Sequence, residues 1–146
     1  MDKVLYSSSS TEWETPQELF DKLNAVFNFD IDVCASKDNT KCDEYWTKED
    51  NALVKDWKGT CWMNPPYGRG VYDWVEKAYT ESKKWNSTIV CLLPARVDTR
   101  WWHDFCNDAE YTFLKGRLKF SNNVNAAPFP SVVVVFRPTL KSVFGG

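Results

Sequence analysis

Thr60-Cys61-Trp62-Met63-Asn64-Pro65-Pro66-Tyr67 is the stretch on which the reading of this protein turns. Thr60 to Met63 is a short apolar run that follows charged residues, and it reads as a strand. The next residues cannot continue it. Two successive prolines lack backbone donors and fix their own φ, and Pro66 restricts Pro65 as well. Beyond the turn, Val71, Trp74, Val75 and Ala78 recur at helical spacing. Strand, stiff turn and helix in succession make one unit of an α/β sheet. In open sheets of that class, ligands bind at the C-terminal ends of the strands, where this turn sits.

The pattern extends in both directions. Thr15-Pro16 predicts a helix start, with Thr15 as cap and Pro16 in the first helical position, and Leu19, Phe20, Leu23, Val26 and Phe27 supply its apolar stripe. Phe29 to Cys34 alternates apolar and acidic residues and predicts a strand. Residues 36–43 read as a loop or short helix, and Tyr45-Trp46-Thr47 as a short strand. Ser87 to Leu93 is continuously apolar, suits a buried strand and ends at Pro94. Residues 98–106 predict a helix, and Tyr111 to Leu114 and Val132 to Phe136 two more strands. We expect a short loop between those last two, and hence an antiparallel hairpin at one edge of an α/β sheet with helices on both faces. Residues 1–10, ending in four serines, read as a mobile leader, and residues 11–146 as a single domain without repeat or linker.

Composition narrows the class. The 146 residues are 43% hydrophobic and 26% charged, enough apolar material for one domain with a core. The eight Trp are many for a core this small, so some rings are expected on working surface. A net charge of −2 lacks the overall basic signature of a nucleic-acid binder, so any such contact must come from a local patch. Five Cys without C-x-x-C spacing argue for reduced thiols, against a disulfide frame or a zinc site. No signal peptide is apparent and no apolar run approaches ~18 residues, so a cytoplasmic protein without membrane contact is expected.

Asn64-Pro65-Pro66-Tyr67 fits methyl transfer to a conjugated amine such as N6 of adenine. The lone pair of such a nitrogen is delocalised into the ring. Accepting both amine hydrogens localises it. The amide oxygen of Asn64 supplies one acceptor and the Pro65 backbone C=O the second, Pro66 stiffens the turn, and Tyr67 can stack on the base. The bland alternative is an ordinary Asn-Pro turn. The position of the motif after a strand favours the functional reading.

Other groups carry less weight. Asp30 and Asp32 lie two apart on a strand, but nothing near them adds metal ligands, so no metal is expected. His103, the sole histidine, has no nucleophile partner at a meaningful spacing. Arg96, Arg100, Arg117 and Lys119 form the best basic cluster, interleaved with Trp101, Trp102 and Phe120. Arginines for phosphates and aromatics for unstacked bases suit duplex opening; a solvated face over buried tryptophans is the alternative. Residues 121–130 are polar and turn-rich, either a substrate-facing loop in which Asn122 or Asn123 reads adenine edges or a passive connection.

Through these residues the protein resembles the phage-type DNA N-6-adenine methyltransferases, the Dam-like family, over about residues 13–137. The resemblance rests on Trp13-x-Thr15-Pro16-x-x-Leu19-Phe20, Asp32-x-Cys34-Ala35, Asp50-x-x-Leu53-x-x-x-Trp57, Asn64-Pro65-Pro66-Tyr67-Gly68, Leu93-Pro94-Ala95-Arg96-x-Asp98-Thr99, Gly116-Arg117-Leu118-x-Phe120 and Pro128-x-Pro130-Ser131, in that order. It implies a Rossmann-like class I methyltransferase sheet, S-adenosylmethionine as methyl donor, double-stranded DNA as partner, and a phage-encoded protein in the host cytoplasm. It places Thr15 and Pro16 in an N-terminal cofactor-contacting element. Asp32, Cys34 and Ala35 fall beside the methionine part of the cofactor, and Asp50 and Leu53 beside its adenine. Asn64 to Tyr67 becomes the catalytic loop. Two departures stand out. Cys34-Ala35-Ser36 occupies the place of the usual glycine-rich turn, and the length leaves no room for a separate recognition domain, so sequence choice falls to short loops or to a second copy in a homodimer. The resulting expectation is methylation of a flipped adenine at N6. The alternatives are another planar amine, in an RNA base or a glutamine side group, and a nucleic-acid-binding module without turnover.

Overall fold

The computed structural model describes residues 13–138, so the expected leader at residues 1–10 lies outside the described residues. The described residues form a mixed α/β structure around a five-stranded sheet. Helix α1 spans Gln17–Phe27. Its N-cap is Pro16, with ψ 131°, and among the described residues no side-chain cap closes its first turn. The expected cap at Thr15 is therefore one residue off. Extended backbone at Pro16 moves the helix start downstream and frees the Thr15 hydroxyl for other use. Strand β1 is only Ile31–Asp32, but flanking bonds from Asp30 N to Thr60 O (2.8 Å) and from Val33 N to Trp62 O (3.0 Å) lengthen its contact with the next strand. The segment at Tyr45 contributes one parallel bridge to Asp32, where a short strand was expected.

Strand β2 is Thr60–Met63, helix α2 is Val71–Lys84 and strand β3 is Thr88–Pro94, the strand–helix–strand unit read from the sequence. Buried Glu81 of α2 locks the unit together. It accepts from Trp57 N (2.8 Å) and Trp85 Nε1 (2.9 Å), while Trp57 Nε1 donates to Ala52 O (2.8 Å). Phe20 of α1 meets Trp62 of β2 edge to face at 5.5 Å, and Tyr79 of α2 meets Phe136 at 6.0 Å.

Strands β4, Glu110–Phe113, and β5, Ser131–Phe136, complete the sheet in the order β1-β2-β3-β5-β4. The first three strands pair in parallel; β5 runs antiparallel between β3 and β4. The expected antiparallel pairing at one edge is present, with β4 outermost. Its connection is not short: it runs over residues 114–130 and folds back to the first described residues. The helix expected at 98–106 is there in altered form. It is a short turn that widens at Trp102–Cys106, where Asn107 N donates to Trp102 O (2.9 Å).

The core absorbs more aromatic rings than expected. Trp57, Trp62, Trp101 and Trp102 are buried, and the other four tryptophans are half-buried. Among the described residues no helix is long and apolar enough to cross a membrane.

Candidate active site

The C-terminal ends of β1 and β2 open into a cleft of about 750 Å³. Its lining includes Asp32 at the end of β1 and residues 33–37 after it, residues 64–66 after β2, residues 13–15, and residues 47–49, 51 and 52. Thr15, Asp32, Cys34, Ala35, Asn64, Pro65 and Pro66 all contribute to that lining.

Asp32, the last residue of β1, is 3% exposed. Its two carboxylate oxygens accept from Cys34 N (3.2 Å) and Lys41 N (3.1 Å), which ties the loop that follows across its own opening. Burial raises its pKa to about 6, against the opposing pull of those two N–H groups and the Lys41 ammonium. Farther round the same loop, Ser36 N donates to Asn39 Oδ1 (2.7 Å) and Asn39 N to Ser36 Oγ (3.2 Å). Polar clasps of this kind shape the loop in the place of a glycine-rich turn. Burial, then the Asp32 charge, pushes the Cys34 thiol well above its ordinary range. Asp30 is engaged separately, accepting from Thr60 N (2.9 Å).

Asn64 follows directly on β2. Its Nδ2 donates to Trp13 O and to Thr15 Oγ1 (2.9 Å), so both amide hydrogens are used. Its Oδ1 is buried and has no hydrogen-bond partner among the described residues. A buried unpaired acceptor costs on the order of 1–3 kcal/mol, so its presence calls for an explanation. Pro65 is buried behind it and Pro66 is exposed at the rim. Tyr67 is 6% exposed and donates from its hydroxyl to Leu92 O (3.1 Å). Its ring stacks on Trp13 at 6.5 Å and meets Phe129 at 5.5 Å and Phe120 at 6.4 Å. Gly68, with φ 116°, then turns the backbone into α2 in a conformation that larger residues disfavour.

The remaining predicted residues separate. The Asp50 carboxylate turns into its own loop, accepting from Thr47 N (2.8 Å) and Thr47 Oγ1 (3.1 Å), bonds that lower its pKa. Its neighbours Glu49, Asn51 and Ala52 face the cleft instead, and Leu53 and Pro16 lie off the lining. Arg96, Arg100, Arg117 and Lys119 are exposed. Arg96 lies over the Phe129 ring at 5.9 Å; Arg100 lies over Tyr72 at 4.9 Å and pairs with Asp104 at 3.8 Å. Trp101 and Phe120, expected to present aromatic faces, are 8% and 1% exposed, so both rings belong to the core in this conformation.

The sequence reading missed how the 114–130 connection closes on the site. Ser121 N donates to Glu14 O (2.9 Å), Ser121 Oγ to Thr15 O (3.2 Å), and Glu14 N to Asn122 Oδ1 (3.0 Å). Phe129 joins Trp13 and Tyr67 in the aromatic cluster. Prolines on either side of Phe129 were the available signal.

The family model described as DNA N-6-adenine-methyltransferase (Dam) matches residues 4–143. The chain belongs to that family. Among its relatives, the DNA N-6-adenine-methyltransferase of Haemophilus phage HP1 is 36% identical over 137 residues, covering 86% of this protein and 78% of the relative. That of Escherichia phage T1 is 34% identical over 110 residues, covering 73% of this protein and 45% of the relative.

Proposed function

We propose that this protein transfers a methyl group from S-adenosylmethionine to N6 of adenine in double-stranded DNA, with the target base flipped out of the duplex. The observation that carries the reading is the unpaired Asn64 Oδ1. Both amide hydrogens are held by Trp13 and Thr15, so the remaining capacity of this amide is to accept. A primary amine is a donor of matching kind, and the Pro65 carbonyl is the second acceptor in the reading. Acceptors fixed beforehand need no reorganisation as positive charge develops on the nitrogen. Family membership supports the same substrate class, since the phage relatives carry that activity in their names.

The donor set fits the cofactor. The cleft volume of about 750 Å³ falls within the ~300–1,000 Å³ usual for small-ligand sites. Its walls offer the clasped loop at residues 33–41 and the turn at residues 47–52, while Asp32 keeps the first of these in shape. When bound, S-adenosylmethionine supplies an electrophilic methyl group. The protein holds the amine in line with it and excludes water. The proton leaves to solvent once the nitrogen is cationic. Tyr67, buried off the cleft lining, supports Trp13 from within the Trp13–Phe129 cluster, and the exposed arginines take phosphates.

A Rossmann-like arrangement with helices on both faces belongs to the same reading. Register and strand alternation put Trp62 and Phe136 on opposite faces, and these are the residues that α1 and α2 meet.

Transfer of labelled methyl from S-adenosylmethionine to unmethylated genomic DNA, followed by nucleoside analysis, tests the proposal. N6-methyladenine is the expected product. A labelled cytosine, or label in protein alone, would overturn it.

A further inference from the structure

A primary amide can turn over by half a rotation about its last rotatable bond with almost no change of shape. For Asn64 the two orientations are chemically opposite, because one presents an acceptor and the other two donors. The choice is made by the groups on its inner side. Trp13 O is an obligate acceptor, and the Thr15 hydroxyl takes the second hydrogen at 2.9 Å.

Thr15 lines the cleft, and its hydroxyl is placed for this task. It is 3% exposed. It stands just before α1, where a threonine ordinarily caps, yet the first turn of that helix takes no hydrogen bond from it. Its hydroxyl is directed at Asn64 instead. Its backbone is fixed from behind by Ser121 Oγ on Thr15 O (3.2 Å), and its neighbour Glu14 is held by Ser121 N (2.9 Å) and Asn122 Oδ1 (3.0 Å).

We propose that Thr15 is a positioning residue for methyl transfer. With the Trp13 carbonyl it holds the Asn64 amide so that Oδ1 faces the target amine, and the turn at 121–122 clamps Thr15 in place. The proposal rests on the reading of Asn64 given above. It also predicts that asparagine serves better than aspartate at this position. An aspartate would keep an acceptor towards the amine, but its other oxygen would meet the Trp13 carbonyl lone pair to lone pair.

The test compares Thr15→Val, Thr15→Ser, Asn64→Asp and Asn64→Ala. Initial rates are measured on unmethylated genomic DNA, and binding of S-adenosylhomocysteine by calorimetry. Losing one fixed hydrogen bond at the amide should lower kcat of Thr15→Val about tenfold. Its affinity for S-adenosylhomocysteine should stay within about twofold of wild type. Thr15→Ser restores the hydroxyl and should recover most of kcat, whereas Asn64→Asp should lose at least as much as Thr15→Val. Wild-type kcat in Thr15→Val, a Thr15→Ser variant as slow as Thr15→Val, or a fully active Asn64→Asp would each overturn the positioning role. So would a parallel loss of S-adenosylhomocysteine binding, which would make Thr15 a cofactor contact. Asn64→Ala separates the two levels. If it keeps its turnover, the reading of Asn64 itself fails; if it is inactive while Thr15→Val is normal, only the positioning role fails. Should Thr15→Val not fold, Asn122→Ala leaves Thr15 and Asn64 intact and loosens the clamp. A several-fold drop in kcat with normal S-adenosylhomocysteine binding is then expected, and unchanged kcat overturns the proposal.

Discussion

Two polar residues stand where adjacent parallel strands end, and they are used in opposite ways. Asp32, closing β1, is fully committed: each carboxylate oxygen takes a backbone N–H of the loop that follows. Asn64, directly after β2, is committed only through its nitrogen, and its oxygen is buried without a partner among the described residues. A satisfied buried group shapes its surroundings. An unsatisfied one is stable only because the rest of the fold holds it, and it gains on meeting a donor. On the function proposed above, the pair separates what builds the cleft from what reacts in it.

The sharpest way to break this contrast is to truncate both residues. Asn64→Ala should reduce kcat by about 10²–10³-fold, the effect of ~2.7–4 kcal/mol seen when one preorganised group is lost. Its affinity for S-adenosylmethionine should be unchanged by calorimetry. Turnover within about threefold of wild type, well under 1 kcal/mol, would place Asn64 with Asp32 among the shaping residues.

Asp32→Ala should act on stability and cofactor affinity. The Asp32 carboxyl titrates at about 6 in the fold, against an ordinary value of 3.8. Between those values the folded protein holds more protons than the unfolded chain. Asp32 therefore makes stability fall as pH rises from about 4 to about 6, by up to on the order of 3 kcal/mol, with no further change above that window. Urea midpoints across about pH 4–8 should show this slope in wild type and lack it in Asp32→Ala. Equal slopes would mean that Asp32 is solvated and shapes nothing.

Arg96→Ala and Arg117→Ala extend the comparison to the surface. Each lost phosphate contact should lower the log–log salt slope of DNA binding by about one, with the cofactor bound normally. Titrations at several salt concentrations decide this. An unchanged slope would make the cluster a solvated face and direct attention to residues 121–130. The smallest effect is expected from Asp50→Ala. Its carboxylate serves Thr47 within one loop, so cofactor affinity should weaken only a few-fold, through Glu49 and Asn51. A loss as large as that of Asp32→Ala would mean that Asp50 turns to the cofactor when it binds.

The parts of this molecule that were legible in sequence are those set by local rules. The Asn-Pro-Pro turn between a strand and a periodic helix announced β2, α2 and β3 and the cleft-lining loop between them, because proline stereochemistry and helical spacing act over a few residues. What stayed hidden depends on closure over distance. Nothing near Thr15 indicates that its hydroxyl will leave the helix and meet Asn64. The same holds for Phe120, whose neighbouring cations suggested a surface ring, although Trp13 and Phe129 take it into the core. The connection after β4 was read as short because both strands were visible and the partner of the residues between them was not. Asp50 and Glu49 could not be told apart, since one loop bond decides which faces the cleft.

The clamp at Ser121 and Asn122 has a consequence for how the protein comes into being. Asn64 is tied to a residue 51 positions earlier, and Thr15 to one 106 positions later. Contacts of such long range form late, after local structure has reduced the cost of bringing them together. During synthesis, the β2 turn emerges and can fold against β1 while residues 121–130 are still unmade. A nascent polypeptide of that length contains the segments of β1 to β4 and the turn, but neither β5 nor the residues 121–122 that bond to Glu14 and Thr15. On the function proposed above, the surroundings of Asn64 are therefore among the last features to be completed, as residues 121–122 return to the segment before α1.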